Sequence, residues 1–271
     1  YGTGATSDDA MRDGLPYNNW VSQCFADPDP LAPTERCCRI ESGIDNNPMT
    51  ENRIALPAPS AGLVGIGARY WFNAFNSGAA RQCIAVFADV TASPLACCHV
   101  EANGALTITN GLGGTLIATT SGPVISTNSW NHIETAYNGT TGAISVRVNG
   151  VQRLTGVSAN TGTIAFAHPI DRIGAGIGSL PLIKDLVLWD GTGTQNNNFM
   201  GTVICRRLDP DSDTTLGDWV PSTGTTGFNL LAKSAPNDLT YLSAGQTGLN
   251  HMQFGFTNLP VDVTSVRGIV S

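Results

Sequence analysis

The run Gly142-Ala143-Ile144-Ser145-Val146-Arg147-Val148-Asn149-Gly150-Val151-Gln152-Arg153-Leu154 sets the architecture. Ile144, Val146 and Val148 alternate with Ser145 and Arg147. Successive side chains of a strand point to opposite faces, so this pattern is a strand with one buried and one polar face. Asn149-Gly150 follows at once. A type I′ hairpin turn needs two residues at positive φ, and Asn-Gly tolerates both. The run Val151-Gln152-Arg153-Leu154 then returns as the partner strand.

Around this hairpin the same grammar repeats. Upstream, residues 63–72, 82–89, 96–101, 105–109, 115–119 and 130–137 read as strands. Ala102-Asn103-Gly104 and Asn138-Gly139-Thr140-Thr141-Gly142 serve as turns between them. Downstream, residues 170–175 and 182–189 follow, then 203–208, 241–243, 252–256 and a last strand over 265–270. No window of helical length carries a 3.6-residue apolar stripe. The first 60 residues are Pro-rich and irregular, with Ala26 to Pro33 a loop and short strands at 37–41 and 53–56. The expected architecture is all-β, an antiparallel β-sandwich with an irregular N-terminal region and a β-rich C-terminal extension. Its parts are a Cys- and Pro-containing segment over 1–60, packed on the sandwich, and a core over 61–193. An extension over 194–271 completes the sandwich or pairs with a neighbouring subunit.

Composition bounds the partners. Charged residues are 13% and hydrophobic residues 41%, so a large core is available. Net charge is -7, Lys184 and Lys233 are the only lysines, and no basic run exists. Nucleic acid and membrane are therefore not expected partners. The opening residues Tyr1 to Thr6 show no signal-peptide pattern, and the chain reads as part of a longer or processed product.

The seven cysteines are Cys24, Cys37, Cys38, Cys83, Cys97, Cys98 and Cys205. Two adjacent pairs each send one thiol to either face of a strand. No C-x2-C pair with matching ligands is present, so neither a metal nor a cofactor is expected. Two readings stay open: small buried side chains, or disulfides of an extracellular protein. Disulfides are favoured, and the odd count allows a bond between subunits.

Chemistry finds little purchase. A sandwich glycosidase needs paired carboxylates, whereas Glu101, Glu134 and Asp185 stand singly on their strands, and Glu41 with Asp45 reads as a turn. No G-x-S-x-G elbow occurs, and His99, His132, His168 and His251 are scattered. His132 reads as a packed or edge histidine, and Asp209-Pro210-Asp211-Ser212-Asp213 as a solvated turn, not a calcium loop. No catalytic residue and no enzyme activity are expected. For glycan stacking, Tyr17, Trp20 and Trp219 lie in polar surroundings.

Trp130-Asn131-His132-Ile133-Glu134, followed by Gly142 to Gly150, resembles the concanavalin-A-like (laminin-G-like) jelly-roll superfamily. There, a strand opening W-x-H-I/V precedes a hairpin turning on V-N-G. The segment from Ile183 through Trp189-Asp190-Gly191 to Asn198-Phe199-Met200-Gly201 resembles one in tailed-bacteriophage virion proteins of that fold. Residues 207–213, 219–222, 254–259 and 266–269 are similar in style, so the resemblance spans 60–271. Lys184 departs from it, standing where such proteins often carry an acid. The resemblance implies a virion structural protein on the particle surface: capsid decoration, collar, fibre or tail component. It implies other virion proteins as partners, and a homo-oligomer that the cysteines could link. The alternative is a carbohydrate-binding module for host-surface polysaccharide; a glycoside hydrolase ranks below both.

Overall fold

The computed structural model describes residues 23–33, 36–41, 54–75, 81–169, 171–173, 181–192, 194, 196–204, 210–215, 219–221, 242–244 and 253–256. The chain divides into a unit of Gly4–Cys205 and a unit of Arg206–Ser271 with Tyr1–Thr3.

In the larger unit the strands are β1 Gln23–Pro28, β2 Arg36–Glu41, β3 Ile54–Ser60, β4 Leu63–Trp71, β5 Arg81–Ala88, β6 Pro94–Val100 and β7 Leu106–Asn110. They continue as β8 Leu116–Thr119, β9 Trp130–Asn138, β10 Ala143–Val148, β11 Val151–Val157, β12 Ile164–His168, β13 Asp171–Ile173 and β14 Leu182–Asp190. The first sheet runs β1-β2-β14-β4-β9-β10-β11, and the second β3-β12-β5-β6-β7-β8 with β13 also on β5. The pairings are antiparallel, and no helix occurs among the described residues. The chain crosses between sheets after β2, β3, β4, β8, β11 and β13, the connectivity of a jelly-roll sandwich.

The central hairpin forms as expected. Asn149 and Gly150 take φ of 51° and 78°, and Val148 pairs with Val151. Ile144, Val146 and Val148 enter the core, which the two sheets share. Val64, Ile66, Ala68, Tyr70, Ile133 and Tyr137 face Ile84, Phe87, Cys98, Val100, Leu106 and Ile108 across it. Phe87 and Tyr137 meet with ring centroids 5.5 Å apart. The Tyr70 hydroxyl reaches across to the carbonyls of Ile84 and Pro169, at 2.9 and 2.7 Å. Each such large apolar side chain contributes about 1.5–3 kcal/mol on burial.

Departures from the sequence reading have local causes. Ala26-Asp27-Pro28, expected as loop, belongs to β1. That strand is an edge of its sheet, where the N–H that proline lacks need not enter a ladder. Within the span 1–60, the short strands expected at 37–41 and 53–56 form as β2 and β3, and only β1 is additional. β12 has no counterpart in the sequence reading, because Ile164, Ala165, Ala167 and His168 are buried and no polar face betrays a period of two. Val203 and Ile204, expected in a strand, lie in none.

In the smaller unit, β15 Pro210–Thr215 pairs with β18 Gln253–Phe256, and β16 Trp219–Pro221 with β17 Leu242–Ala244. Residues 210–213 are thus strand and not the solvated turn expected, because pairing with a distant segment overrides local turn chemistry. The expected last strand over 265–270 lies outside the described residues.

One close approach shapes the outer face of the first sheet. Trp189 lies across Gly65, where an added Cβ would stand 2.1 Å from two ring carbons of Trp189. Gly65→Ala is expected to expel the indole and to destabilise the sandwich by about 1–3 kcal/mol. Denaturant unfolding followed by tryptophan fluorescence checks this; an unchanged midpoint would refute the slot.

Candidate functional site

Alternation that sends one set of side chains into the core sends the other to the outer face of the first sheet. From β4, β9 and β10 that face receives Arg69, Trp71, Trp130, His132, Glu134 and Arg147. Register sets Trp71 opposite Trp130, Arg69 opposite His132, and Glu134 between Gly67 and Arg147. β14 joins them through a bulge. Its register shifts between Lys184 and Val187, and Asp185 sits at φ 54°. Asp tolerates this left-handed conformation better than most residues, and a bulge re-aims its side chain. The Asp185 carboxylate accepts a hydrogen bond from Arg69 Nη1 at 3.2 Å.

At one end of the face, Asp29 is the hub. Its fully buried carboxylate pairs with Lys184 and accepts hydrogen bonds from the Leu31 N–H at 2.8 Å and Trp130 Nε1 at 3.2 Å. Burial alone would raise its pKa. The bonds from Lys184, Leu31 and Trp130, with the Lys184 charge, outweigh that and hold it below the usual carboxylate value. Lys184 Nζ stands 4.5 Å from the Trp130 ring centroid, and Arg69 Cζ 5.9 Å. Beside them His132 is only 3% exposed, and neither ring nitrogen has a hydrogen-bond partner among the described residues. Burial and the Arg69 charge pull its pKa down to about 4, against the opposing pull of Asp185.

At the other end Glu134 is fully buried. Its Oε1 accepts the N–H of Met200 at 2.8 Å and of Gly201 at 3.2 Å, while Oε2 has no partner among the described residues. Burial pushes its pKa up, opposed by those N–H groups and by Arg147. The Arg147 guanidinium lies 4.1 Å from the Phe199 ring centroid, and Phe199 meets Trp189 edge-on at 5.8 Å. Arg147 Nε and Trp189 Nε1 also lack partners among the described residues. The result is a face of charged and aromatic side chains, with several buried donors and acceptors among them that the described residues do not satisfy.

Of the stacking residues expected from sequence, Tyr17 and Trp20 lie outside the described residues. Trp219 is placed in β16, in the other unit. The aromatic residues brought together are instead Trp71, Trp130, Trp189 and Phe199. Trp130, His132, Glu134 and Asp185 were each visible as strand residues. Alternation sets the first three on one face, but the arrival of Asp185 beside them was not visible, because β14 inserts between β2 and β4, far from its neighbours in sequence.

The disulfide expectation narrows. Cys37, Cys83, Cys97 and Cys98 are buried reduced thiols, and Cys38 is in a disulfide. Cys205 lies outside the described residues, and Cys24 is placed in β1. The adjacent pairs do split as strand geometry requires. Cys98 enters the core while Cys97 joins Cys83 and Val86 on the other face. Burial, with the nearby charges of Asp29 and Asp27, pushes the Cys37 thiol up to about 11. A metal was not expected, yet Cys83, Cys97 and His99 bring their ligand atoms within 4.8 Å of one another.

No protein-family model and no curated protein sequence matches the chain. Solved structures do. A galectin, LEC-6, from Caenorhabditis elegans is similar at 14% identity and a TM-score of 0.38, over 65% of this chain and 99% of its own. The carbohydrate-binding module CBM66 from Bacillus subtilis is similar at 11% identity and a TM-score of 0.37, over 64% and 96%. A sialidase is similar at 14% identity and a TM-score of 0.39, over 50% of this chain; the match spans only 14% of the sialidase.

The electrostatics predict a pH response. Folded His132 stays neutral down to about pH 4, whereas an unfolded histidine takes its proton near about 6.5. Over that window the unfolded state binds more protons, so stability falls as pH falls, by about 3 kcal/mol from this group. His132→Asn is expected to flatten the stability profile between those values; an identical slope in both proteins would refute it. Asp29→Asn leaves Lys184 with a neutral partner, at an expected cost of about 3 kcal/mol at neutral pH. Because the Asp29 pKa is lowered, the difference should disappear as pH falls through its folded value. Urea unfolding of both proteins across pH measures this.

Proposed function

We propose that this chain is a carbohydrate-binding β-sandwich whose site is the outer face of the first sheet. One observation carries the reading. The half-buried cations Arg69, Lys184 and Arg147 stand against the half-buried rings of Trp130 and Phe199 on one sheet face. Sugar hydroxyls accept hydrogen bonds from such cations, and sugar C–H faces suit aromatic rings.

The chain is further proposed to be displayed on a bacteriophage particle, as a homo-oligomeric decoration, collar, fibre or tail component beside other virion proteins. That rests on the resemblance of residues 183–201 to virion proteins, and it is compatible with glycan binding. The role is read as adhesive, not hydrolytic. Asp185 is tied to Arg69, and Glu134 accepts hydrogen bonds from backbone N–H groups, with no second carboxylate among the described residues set against it to share a hydrolase's work.

Binding to a bacterial polysaccharide array is the test. Arg69→Ala and Arg147→Ala, each checked for native unfolding behaviour, should weaken binding about tenfold, or about 1.4 kcal/mol. Val151→Thr, at an exposed position of β11, should not. Absence of binding above background, or binding indifferent to the outer-face variants, would overturn the reading. Absence of the chain from purified particles by mass spectrometry would overturn the virion part alone.

A further inference from the structure

The outer face of the second sheet carries a different chemistry. β5 bulges between Cys83 and Ala85, with Ile84 as the extra residue. The bulge lets Cys83 and Val86 face outward while Ile84, Ala85 and Phe87 enter the core. On β6, Cys97 and His99 are two apart and share that outer face, and register sets Cys83 opposite His99. All three side chains are fully buried.

We propose that Cys83, Cys97 and His99 form a binding site for one divalent transition-metal ion of the zinc type. His99 Nδ1 lies 3.3 Å from Cys83 Sγ and 3.6 Å from Cys97 Sγ. Donors about 2.0–2.3 Å from a tetrahedral ion stand about 3.3–3.8 Å apart, so both imidazole-to-sulfur distances already match, and the two sulfurs, within 4.8 Å of each other, need approach by at most about 1 Å.

The neighbouring hydrogen bonds set the tautomer. The Thr109 hydroxyl donates its one proton to the Gly111 carbonyl at 2.8 Å. It must then accept from His99 Nε2, 2.7 Å away, which places the imidazole proton on Nε2 and a lone pair on Nδ1, toward both sulfurs. This outer hydrogen bond is the kind that orients a metal-bound histidine. Binding releases the two thiol protons, and two thiolates with a neutral imidazole cancel the ion's double charge. A neutral assembly suits a site walled by Val86 and Leu112, where an uncompensated charge would be costly. Three protein donors leave one tetrahedral position for a water. The pattern escapes a C-x2-C search because one ligand comes from the neighbouring strand.

The test is cobalt(II) titration of the full chain, stripped with chelator and kept reduced. One ion per chain is expected, with sulfur-to-metal charge-transfer and tetrahedral d–d bands, displaced by zinc. Cys97→Ala and His99→Gln should lose these bands, Cys37→Ala should keep them, and Thr109→Val should weaken binding about 10- to 100-fold. Should the ligand variants fail to fold, the wild-type chain decides, since zinc must raise its melting temperature. No bands in the wild-type chain, bands that persist in a folded Cys97→Ala, or a Cys83–Cys97 disulfide in protein isolated without reductant would each overturn the proposal. Glycan binding is read separately, so either idea can fail alone.

Discussion

The gap between the two sheets is bridged by large side chains that meet from both sides. Phe87 and Tyr137 touch ring to ring, and the Tyr70 hydroxyl reaches backbone carbonyls of the opposite sheet. These contacts fix which residue of each strand points inward. A slip of one residue would turn every inward side chain out. Once the inner set is settled, the outer set is settled as well. The positions of Arg69, His132, Glu134 and Arg147 on one face, and of Cys83, Cys97 and His99 on the other, follow from a core they do not enter.

Burial without pairing distinguishes the outer face of the first sheet from an ordinary solvated sheet surface. At its Asp29 end, charge is matched: a buried carboxylate meets a lysine, an indole N–H and a backbone N–H. At its Glu134 end, residues beyond β14 fold back, and the backbone N–H groups of Met200 and Gly201 satisfy only one carboxylate oxygen. The Gly65 slot permits this, since any side chain there would displace Trp189 and with it the ring that Phe199 meets.

The two outer faces use alternation for different ends. On the first sheet it collects hydrogen-bonding groups and aromatic rings, a combination suited to a polar ligand with apolar faces. On the second it collects two soft sulfur donors and an imidazole in a water-poor setting. Neither arrangement requires the other, and the shared core holds both.

The all-β class and the central hairpin were legible in the sequence because they depend on local alternation and on the φ preferences of Asn149 and Gly150. The adjacent cysteine pairs could likewise be read as splitting between faces. The candidate sites were not legible, for a physical reason. They depend on register between strands far apart in the chain, on the bulge that turns Asp185 outward, and on the bulge between Cys83 and Ala85. Alternation is written residue by residue, whereas which strands become neighbours is decided only when the core closes.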